Sequence, residues 1–262
     1  HGFMTGQINI RFHNELNDFL QPEQRGIDIA HELKQARSVK DLIESIGVPH
    51  TEIDLIIANG ESVDFDYPVQ AGDQIGLYPV LKPSVSDSLD ISPLKHCQPE
   101  PLPTPRFVRD VQLGRLAAYL RMLGFDTLYR NDYDDPELAN ISADEHRIPL
   151  SCDRQLFMRK QVAHGYFVRS RKPQQQLLEI LSRYDLYNQQ KPFTRCMSCN
   201  GKMRRVKKEE IEDQLLAKTK KYYREFFQCD NCKKIYWRGS HYLKMQTMIN
   251  NLKDGMINNT TK

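Results

Sequence analysis

Two pairs of cysteines in the 262-residue chain have the spacing of a metal site. "RCMSCNGKM" contains Cys196 and Cys199, and "QCDNCKKIYW" contains Cys229 and Cys232. Two C-x-x-C pairs supply four thiolates in a tetrahedral arrangement, which is the ligand set of a closed structural zinc site. We therefore predict one structural Zn²⁺ whose binding supplies folding energy to this segment. A redox or chance pairing of the cysteines is the alternative.

Four carboxylates fall where a parallel sheet would bring them together. Asp110 follows a short apolar strand, and Asp153 ends the strand in "RIPLSCD". Asp134 and Asp135 precede Pro136, a residue typical of the first position of a helix. The carboxyl ends of parallel strands and the starts of the helices lie at the same edge of such a sheet. Clustered carboxylates repel one another, and Mg²⁺ or Mn²⁺ removes that repulsion.

One or two such ions could activate water for in-line attack on a phosphodiester. A structural interpretation stays open for each acid. A lone Asp after a strand is commonly a turn residue or a helix N-cap, and this applies to Asp153 ahead of "RQLFMRK". Asp134 and Asp135 could serve only to complement the dipole of their helix.

Charge is divided unevenly along the chain. Residues 1–81 contain 5 Lys and Arg against 13 Asp and Glu, whereas residues 191–262 contain 17 against 7. Cations interleaved with aromatic side chains fit phosphate neutralisation beside base stacking, which predicts a single-stranded nucleic acid as a partner. RNA is the expected partner, although this pattern does not distinguish it from single-stranded DNA. A solubilising tail whose aromatic residues form only a local core is the alternative. The candidate RNA contacts are Arg109, Arg115, Arg154, Arg204, Arg205, Lys207, Lys208, Lys220, Lys221 and Trp237.

The first 81 residues have the pattern of a small α+β unit. "QINIRF" alternates as a half-buried strand, and Ser38 can cap a helix that Gly47 ends. "EIDLIIANGESV" predicts a hairpin that turns at Asn59-Gly60, and "GDQIGLYPV" predicts a last strand. This order resembles the β-grasp family of ubiquitin and the small sulfur carriers, and specifically the ubiquitin-like domain fused ahead of PIN-type nucleases in bacteria. Since "LYPVLKPS" runs on without a free Gly-Gly terminus, we predict a protein-binding or substrate-positioning module.

Residues 82–105 carry six of the fourteen prolines and predict an extended linker. From Arg106 onward, strands alternate with helices, which predicts a mostly parallel sheet. Strands are expected at "FV", "DTLYR", "RIPLS" and "YFVRS". Helices are expected around "LGRLAAYLRML", "DDPELANISADEH", "QLFMRKQVAHG" and "PQQQLLEILSRYDL". The tail "NNLKDGMINNTTK" shows no pattern and is expected to be disordered.

Residues 106–245 resemble the Mut-seven C-terminal RNase domain family, a PIN-like fold with a zinc ribbon. The resemblance rests on "FVRDVQLGRLAAYLRMLGFDTLYR", "DDPELA", "RIPLSCDRQL", "QQLLEIL", "PFTRCMSCNGKM" and "CDNCKKIYWRGSHYLKM". It implies a metal-dependent ribonuclease whose acids are Asp110, Asp135 and Asp153, with Asp134 as an alternative or a fourth ligand. Ser151-Cys152 replaces the usual Thr-Arg before the last acid, and Arg109 stands where a small residue is usual.

The expected protein is an α/β PIN-like nuclease with an N-terminal ubiquitin-like β-grasp domain and a C-terminal zinc ribbon. It is expected to be cytoplasmic, because no leader or membrane span is evident and the paired cysteines favour metal over disulfides. A degenerate domain that binds RNA as an adaptor is the main rival, and a protein-interaction scaffold is a third interpretation. A homodimer is also expected, by analogy with the pairing of PIN-like domains. The predicted divisions are a head at 4–81, a linker at 82–105, the nuclease at 106–190, the ribbon at 191–247 and a tail at 248–262.

Overall fold

The computed structural model describes residues 6–80 and 94–259, with side chains described as far as residue 251. Two compact units are present. One contains residues 1–103 together with 134–167, and the other contains residues 104–133 together with 168–262. Part of the predicted nuclease segment thus belongs to the same unit as the head. No helix among the described residues is long and apolar enough to cross a membrane.

A five-stranded sheet and one helix form the head, with strand order β2-β1-β5-β3-β4. Strands β1 and β5 are parallel, and the other neighbouring strands of this sheet are antiparallel. This is the arrangement predicted for the β-grasp segment. The elements are β1 (Gly6–Phe12), β2 (Ile29–Leu33), α1 (Val39–Ile46), β3 (Ile53–Ala58), β4 (Glu61–Val63) and β5 (Gln74–Pro79).

Local signals in the sequence fix the bounds of helix α1 and of the β3–β4 hairpin. Ser38 Oγ accepts a hydrogen bond from the backbone N–H of Asp41, which caps the start of α1. Gly47 ends the helix with φ +100°, a left-handed conformation that glycine adopts without a Cβ penalty. Asn59 and Gly60 both have positive φ, as a two-residue hairpin turn requires. These predictions are confirmed.

The second half of the predicted linker packs against the head. His96 Nδ1 lies 2.8 Å from Asp54 Oδ2, and the backbone N–H of Cys97 donates to the carbonyl of Asp54. Gln98 Nε2 donates to the carbonyl of Ile53 at 2.6 Å. Burial raises the pKa of the Cys97 thiol to about 12. Residues 96–98 therefore lie along β3, while the part of the linker at 81–93 is outside the described residues.

The remainder of the first unit contains α3 (Asp135–Glu145), β8 (Ile148–Ser151) and β9 (Tyr166–Phe167). Strands β8 and β9 are parallel, as predicted. The helix predicted at "QLFMRKQVAHG" is not formed and is corrected here to a single 3₁₀ turn at Leu156–Met158. After that turn Arg159 is extended with ψ 132°, so the segment takes another path to β9.

The second unit begins with β6 (Phe107–Arg109), a 3₁₀ turn (Val111–Leu113), α2 (Gly114–Met122) and β7 (Thr127–Leu128). Strands β6 and β7 are parallel. Helix α4 (Pro173–Arg183) packs against α2, and its Leu177 and Leu181 are fully buried as the helical spacing predicts.

The cysteine-containing segment forms an antiparallel sheet of order β10-β11-β12. Helix α7 begins at Ser240 and continues to Asn259, although residues 248–262 are predicted to be disordered. Met245 and Ile249 are buried one turn apart, so tertiary contacts extend the helix into the tail. Residues 260–262 lie outside the description. The other elements are β10 (Met203–Val206), α5 (Lys208–Ile211), α6 (Ala217–Tyr222), β11 (Phe226–Cys229) and β12 (Ile235–Trp237).

Candidate metal centre and acidic residues

The Sγ atoms of Cys196, Cys199, Cys229 and Cys232 all lie within 4.8 Å of one another. Two of the separations, Cys196–Cys232 and Cys199–Cys229, are 3.5 Å. Tetrahedral Zn²⁺ with Zn–S bonds of about 2.3 Å requires sulfurs roughly 3.8 Å apart, so the cluster fits one ion. Among the side chains described in residues 6–80 and 94–251, these cysteines form the one group of three or more potential ligand residues that is this tight.

Two equivalent turns present the cysteine pairs. Asn200 follows the first pair with φ +63°, and Lys233 follows the second pair with φ +61°. The N–H of Asn200 donates to the carbonyl of Cys196, and the N–H of Lys233 donates to the carbonyl of Cys229. Each turn thereby directs both of its sulfurs to one point, which is the geometry of a structural metal centre.

A tyrosine contacts the cluster from outside. Tyr236 Oη lies 3.2 Å from Cys196 Sγ. Burial opposes ionisation of Cys196, but hydrogen bonds from Tyr236 and from the backbone N–H groups of Cys199 and Ser198 lower its pKa to about 7. A group that orients a ligand in this way is typical of metal sites. The sequence analysis assigns the aromatic side chains of this segment only to base stacking or to a local core, so it misses this role of Tyr236.

An aromatic cavity of about 420 Å³ lies beside the ribbon sheet. Trp237 is half-buried there, with its ring centroid 5.9 Å from that of Tyr223 and 6.5 Å from that of the buried Phe226. Trp237 thus contributes to the ribbon core and also lines an open cavity. The other aromatic residues of the lining are Phe193, Tyr236 and Tyr242.

Several predicted RNA-binding cations already have acidic neighbours in the ribbon. Arg205 Nη2 lies 2.8 Å from Glu225 Oε1, and Arg204 Nε lies 3.6 Å from Asp230 Oδ1. Lys220 Nζ lies 3.8 Å from Glu212, and Lys208 Nζ donates to the carbonyl of Lys220. The exposed members of the predicted set that no acid approaches within 4.0 Å in the described residues are Arg115, Lys207 and Lys221.

Arg109 is fully buried, so it cannot serve as the RNA contact predicted from its sequence position. Its Nη1 donates to the carbonyls of Asp110 and Val111, and its Nη2 donates to that of Gly114. The Cζ atom lies 3.3 Å from the centroid of the Tyr129 ring. Burial lowers the pKa of Arg109 to about 10, and Tyr129 opposes that shift. The arginine fixes the backbone around Asp110.

The predicted acids have different local environments. Asp110 is buried directly after β6. Asp134 is exposed and caps α3, where its Oδ1 accepts a hydrogen bond of 2.8 Å from the N–H of Glu137. Asp135 is half-buried at the first position of that helix. Asp134 therefore has a structural role as a helix cap, which is more specific than the dipole complement named as its structural alternative.

Asp153 is exposed in the turn after β8. Its backbone N–H donates to Ser151 Oγ at 2.9 Å, and its Oδ1 accepts from the N–H of Gln155 at 2.9 Å. The turn therefore uses one carboxylate oxygen and leaves Oδ2 to bind a ligand. Its neighbour Arg154 donates through Nη1 to the carbonyls of Phe19 and Gly47 in the head.

Fold and site together define a ubiquitin-like domain followed by a parallel-sheet domain with a four-cysteine cluster of the zinc-ribbon type. The family model of the Mut7-C RNAse domain matches residues 105–249, more than half of the chain, and that of Mut7-C ubiquitin matches residues 5–85. The chain therefore belongs to the Mut7-C RNase domain family, as the sequence resemblance predicts.

Comparisons with curated proteins and with solved structures do not extend this assignment. No curated protein sequence matches the chain. One solved structure is similar to part of the chain, and it is that of a Pyrococcus furiosus protein named for molybdopterin converting factor, subunit 1. It is 23% identical over 29% of this chain and 99% of its own length, with a TM-score of 0.23.

Proposed function

We propose that the protein is a metal-dependent ribonuclease that hydrolyses phosphodiester bonds in single-stranded RNA. The match of residues 105–249 to the Mut7-C RNAse domain carries the proposal. Asp110 follows strand β6, Asp153 follows strand β8, and Asp135 begins helix α3. Acids in these positions are suited to catalysis because functional groups of α/β sheets gather at the carboxyl ends of the strands.

The proposed roles follow from the chemistry of the side chains. Asp110, Asp135 and Asp153 would hold one or two Mg²⁺ or Mn²⁺ ions, and Asp134 could add a fourth carboxylate. Oxygen ligands of this kind match the preference of both cations. When bound, such ions activate water and neutralise charge on the phosphate. The turn at Asp153 uses Oδ1 and leaves Oδ2 for the cation, and Arg109 fixes the backbone around Asp110.

The ribbon is proposed to bind the RNA. Zinc would hold the three strands in place without touching substrate, because four thiolates leave no open position. Lys207, Lys221 and Arg115 would neutralise phosphates, and the cavity at Trp237 offers aromatic surface to an unstacked base. We propose the cytoplasm as the compartment, since a cluster of four cysteines suited to a metal is typical of a reducing environment.

An end-labelled single-stranded RNA with Mn²⁺ tests the proposal. Wild-type protein is expected to cleave it, EDTA to stop cleavage, and Asp153→Asn and Asp110→Asn to be inactive yet folded. Asp144→Asn is the matched control, since Asp144 is an exposed acid on the same helix as Asp135. Normal cleavage by Asp153→Asn would refute the acidic site.

A non-catalytic RNA-binding adaptor is the second candidate. The observation that favours it is that Asp134 caps α3 and Asp153 Oδ1 bonds within the turn after β8, since each acid then has a structural use that requires no metal. The adaptor predicts that wild type and Asp153→Asn bind the RNA equally and that neither cleaves it with any divalent ion.

A further inference from the structure

The head makes polar contacts with the segment that follows Asp153, inside one compact unit. Arg154 Nη1 is 3.3 Å from the carbonyl oxygen of Phe19 and 3.3 Å from that of Gly47. Its Cζ lies 5.8 Å from the centroid of the Phe19 ring. Arg154 directly follows the predicted catalytic acid Asp153. It therefore contacts residues of the head that lie more than a hundred positions earlier in the sequence.

The end of helix α1 is chemically suited to receive this arginine. The last carbonyls of a helix lack intrahelical partners and carry partial negative charge. Helix α1 has no basic residue in its own last turn, so Arg154 supplies the cation. A Cβ at Gly47 would lie 3.4 Å from Arg154 Nη1, in ordinary van der Waals contact, so the guanidinium packs directly beside the residue that ends the helix.

A second polar contact joins the head to residue 162. His50 is 6% exposed, and its Nε2 lies 3.0 Å from the carbonyl oxygen of Val162. Its Nδ1 lies 2.7 Å from Glu44 Oε1, which fixes the orientation of the ring. A buried imidazole and a buried carbonyl would each lose stability without this partner.

A third contact closes the interface at strand β9. Glu52 is 4% exposed, and its Oε1 accepts a hydrogen bond of 2.9 Å from the backbone N–H of Phe167. The Phe19 and Phe167 rings meet edge to face, with centroids 5.1 Å apart. One buried and two partly buried polar contacts, together with an aromatic pair, thus hold residues 154–167 against the head.

We propose that the ubiquitin-like head is a positioning domain for the loop of Asp153, and that Arg154 is its positioning residue rather than an RNA contact. The head holds the segment on the carboxyl side of Asp153, and Ser151 Oγ holds the backbone N–H of Asp153 itself. Displacement of a catalytic group by about 1 Å can cost about a hundredfold in rate. The catalytic part of this inference rests on the proposed function, whereas the docking part does not.

The test uses the full chain and compares Arg154→Ala, Arg154→Lys and His50→Ala with wild type. Lys160→Ala is the control, because it removes a charge from the same segment at an exposed position. Amide hydrogen exchange is measured over residues 151–163, together with kcat and KM on single-stranded RNA with Mn²⁺. Circular dichroism confirms that each variant is folded.

Arg154→Ala and His50→Ala are both expected to speed exchange over residues 151–163 by about tenfold, as the loss of a hydrogen bond with a charged or buried partner implies. Both should lower kcat by about tenfold or more and leave KM within about twofold of wild type. Arg154→Lys should recover part of both losses, and Lys160→Ala should match wild type. His50 belongs to the head and serves as the second variant if Arg154→Ala does not fold.

Unchanged exchange together with a higher KM in Arg154→Ala would overturn the inference and make Arg154 an RNA contact. Unchanged exchange in both Arg154→Ala and His50→Ala would also overturn it. If wild type has no nuclease activity, the proposed function fails by itself, and faster exchange in the two variants still supports docking of the head.

Discussion

Nη1 of Arg109 donates a hydrogen bond of 2.6 Å to the backbone carbonyl of Asp110, its own neighbour in sequence. Arg154, which directly follows Asp153, likewise binds backbone carbonyls. Each of these two acids therefore has an adjacent arginine that binds main-chain carbonyls. The two arginines beside the predicted acids thus have structural roles, and the sequence motif alone does not indicate these roles.

Replacement of Arg109 by Ala is expected to lower the free energy of unfolding by roughly 2–4 kcal/mol, because three carbonyls lose a buried charged donor. Arg109→Lys should recover only part of this loss, since an ammonium cannot bond the carbonyls in the same fork or stack on Tyr129. Urea unfolding measures both variants. Arg109→Ala with wild-type stability and weaker RNA binding would contradict the structural role.

Substitution of a ribbon cysteine should remove zinc. Purified wild-type protein is expected to contain one zinc per chain, and Cys229→Ser should contain much less because three thiolates do not complete the tetrahedral site. Metal analysis and the thermal unfolding midpoint check this, with a strong chelator lowering the midpoint of wild type. Cys97→Ala is the control because Cys97 lies against the head. Equal zinc in Cys229→Ser and wild type would exclude the four-cysteine site.

Loss of the Tyr236 hydroxyl should weaken zinc binding without abolishing it. Tyr236→Phe removes the contact to Cys196 Sγ, and loss of a group that orients a metal ligand typically costs about 10–100-fold in affinity. Competition with a chromophoric chelator measures the change. Tyr222→Phe is the matched control, since Tyr222 is 68% exposed. A wild-type zinc affinity in Tyr236→Phe would show that the hydroxyl is not needed.

RNA affinity should depend on the aromatic cavity and on salt. Trp237→Leu is expected to weaken binding of single-stranded RNA by about tenfold, because base stacking on an aromatic ring is worth about 1–3 kcal/mol. Leu216→Ala, a change at an exposed ribbon residue outside that cavity, should have no effect. Fluorescence anisotropy at several salt concentrations measures both. An affinity that hardly changes with salt would favour the scaffold interpretation over phosphate contacts.

Short-range signals made the head predictable. Ser38, Gly47 and the Asn59-Gly60 turn act on neighbouring residues, so their chemistry can be read without the fold. Spacing alone likewise identified the four cysteines as a group. The positions of the acids after strands and at a helix start could also be predicted. Asp153 also has the turn role named as its structural alternative, and Asp134 caps its helix, where only a dipole role was named.

Long-range contacts set the limit of sequence interpretation. Residues 159–165 have a helical pattern, yet the carbonyl of Val162 is bound by His50, 112 positions earlier. Ile249 is buried, and the tail around it is helical where its composition predicts disorder. Arg109 is a cation that the sequence predicts as an RNA contact, yet it is buried like a core residue. A local sequence pattern does not indicate which distant residues of the chain will contact a segment.

The contacts of residues 96–98 decide where the head can be cut from the rest of the chain. Asp54 is 8% exposed, and its carboxylate is bound by His96 and by the N–H of Gln98. A fragment that stops at residue 81, where the strand pattern ends, would leave that acid without these partners. A fragment extended to Gln98 would keep them, so the thermodynamic boundary of the head lies beyond the boundary of its family match at residue 85.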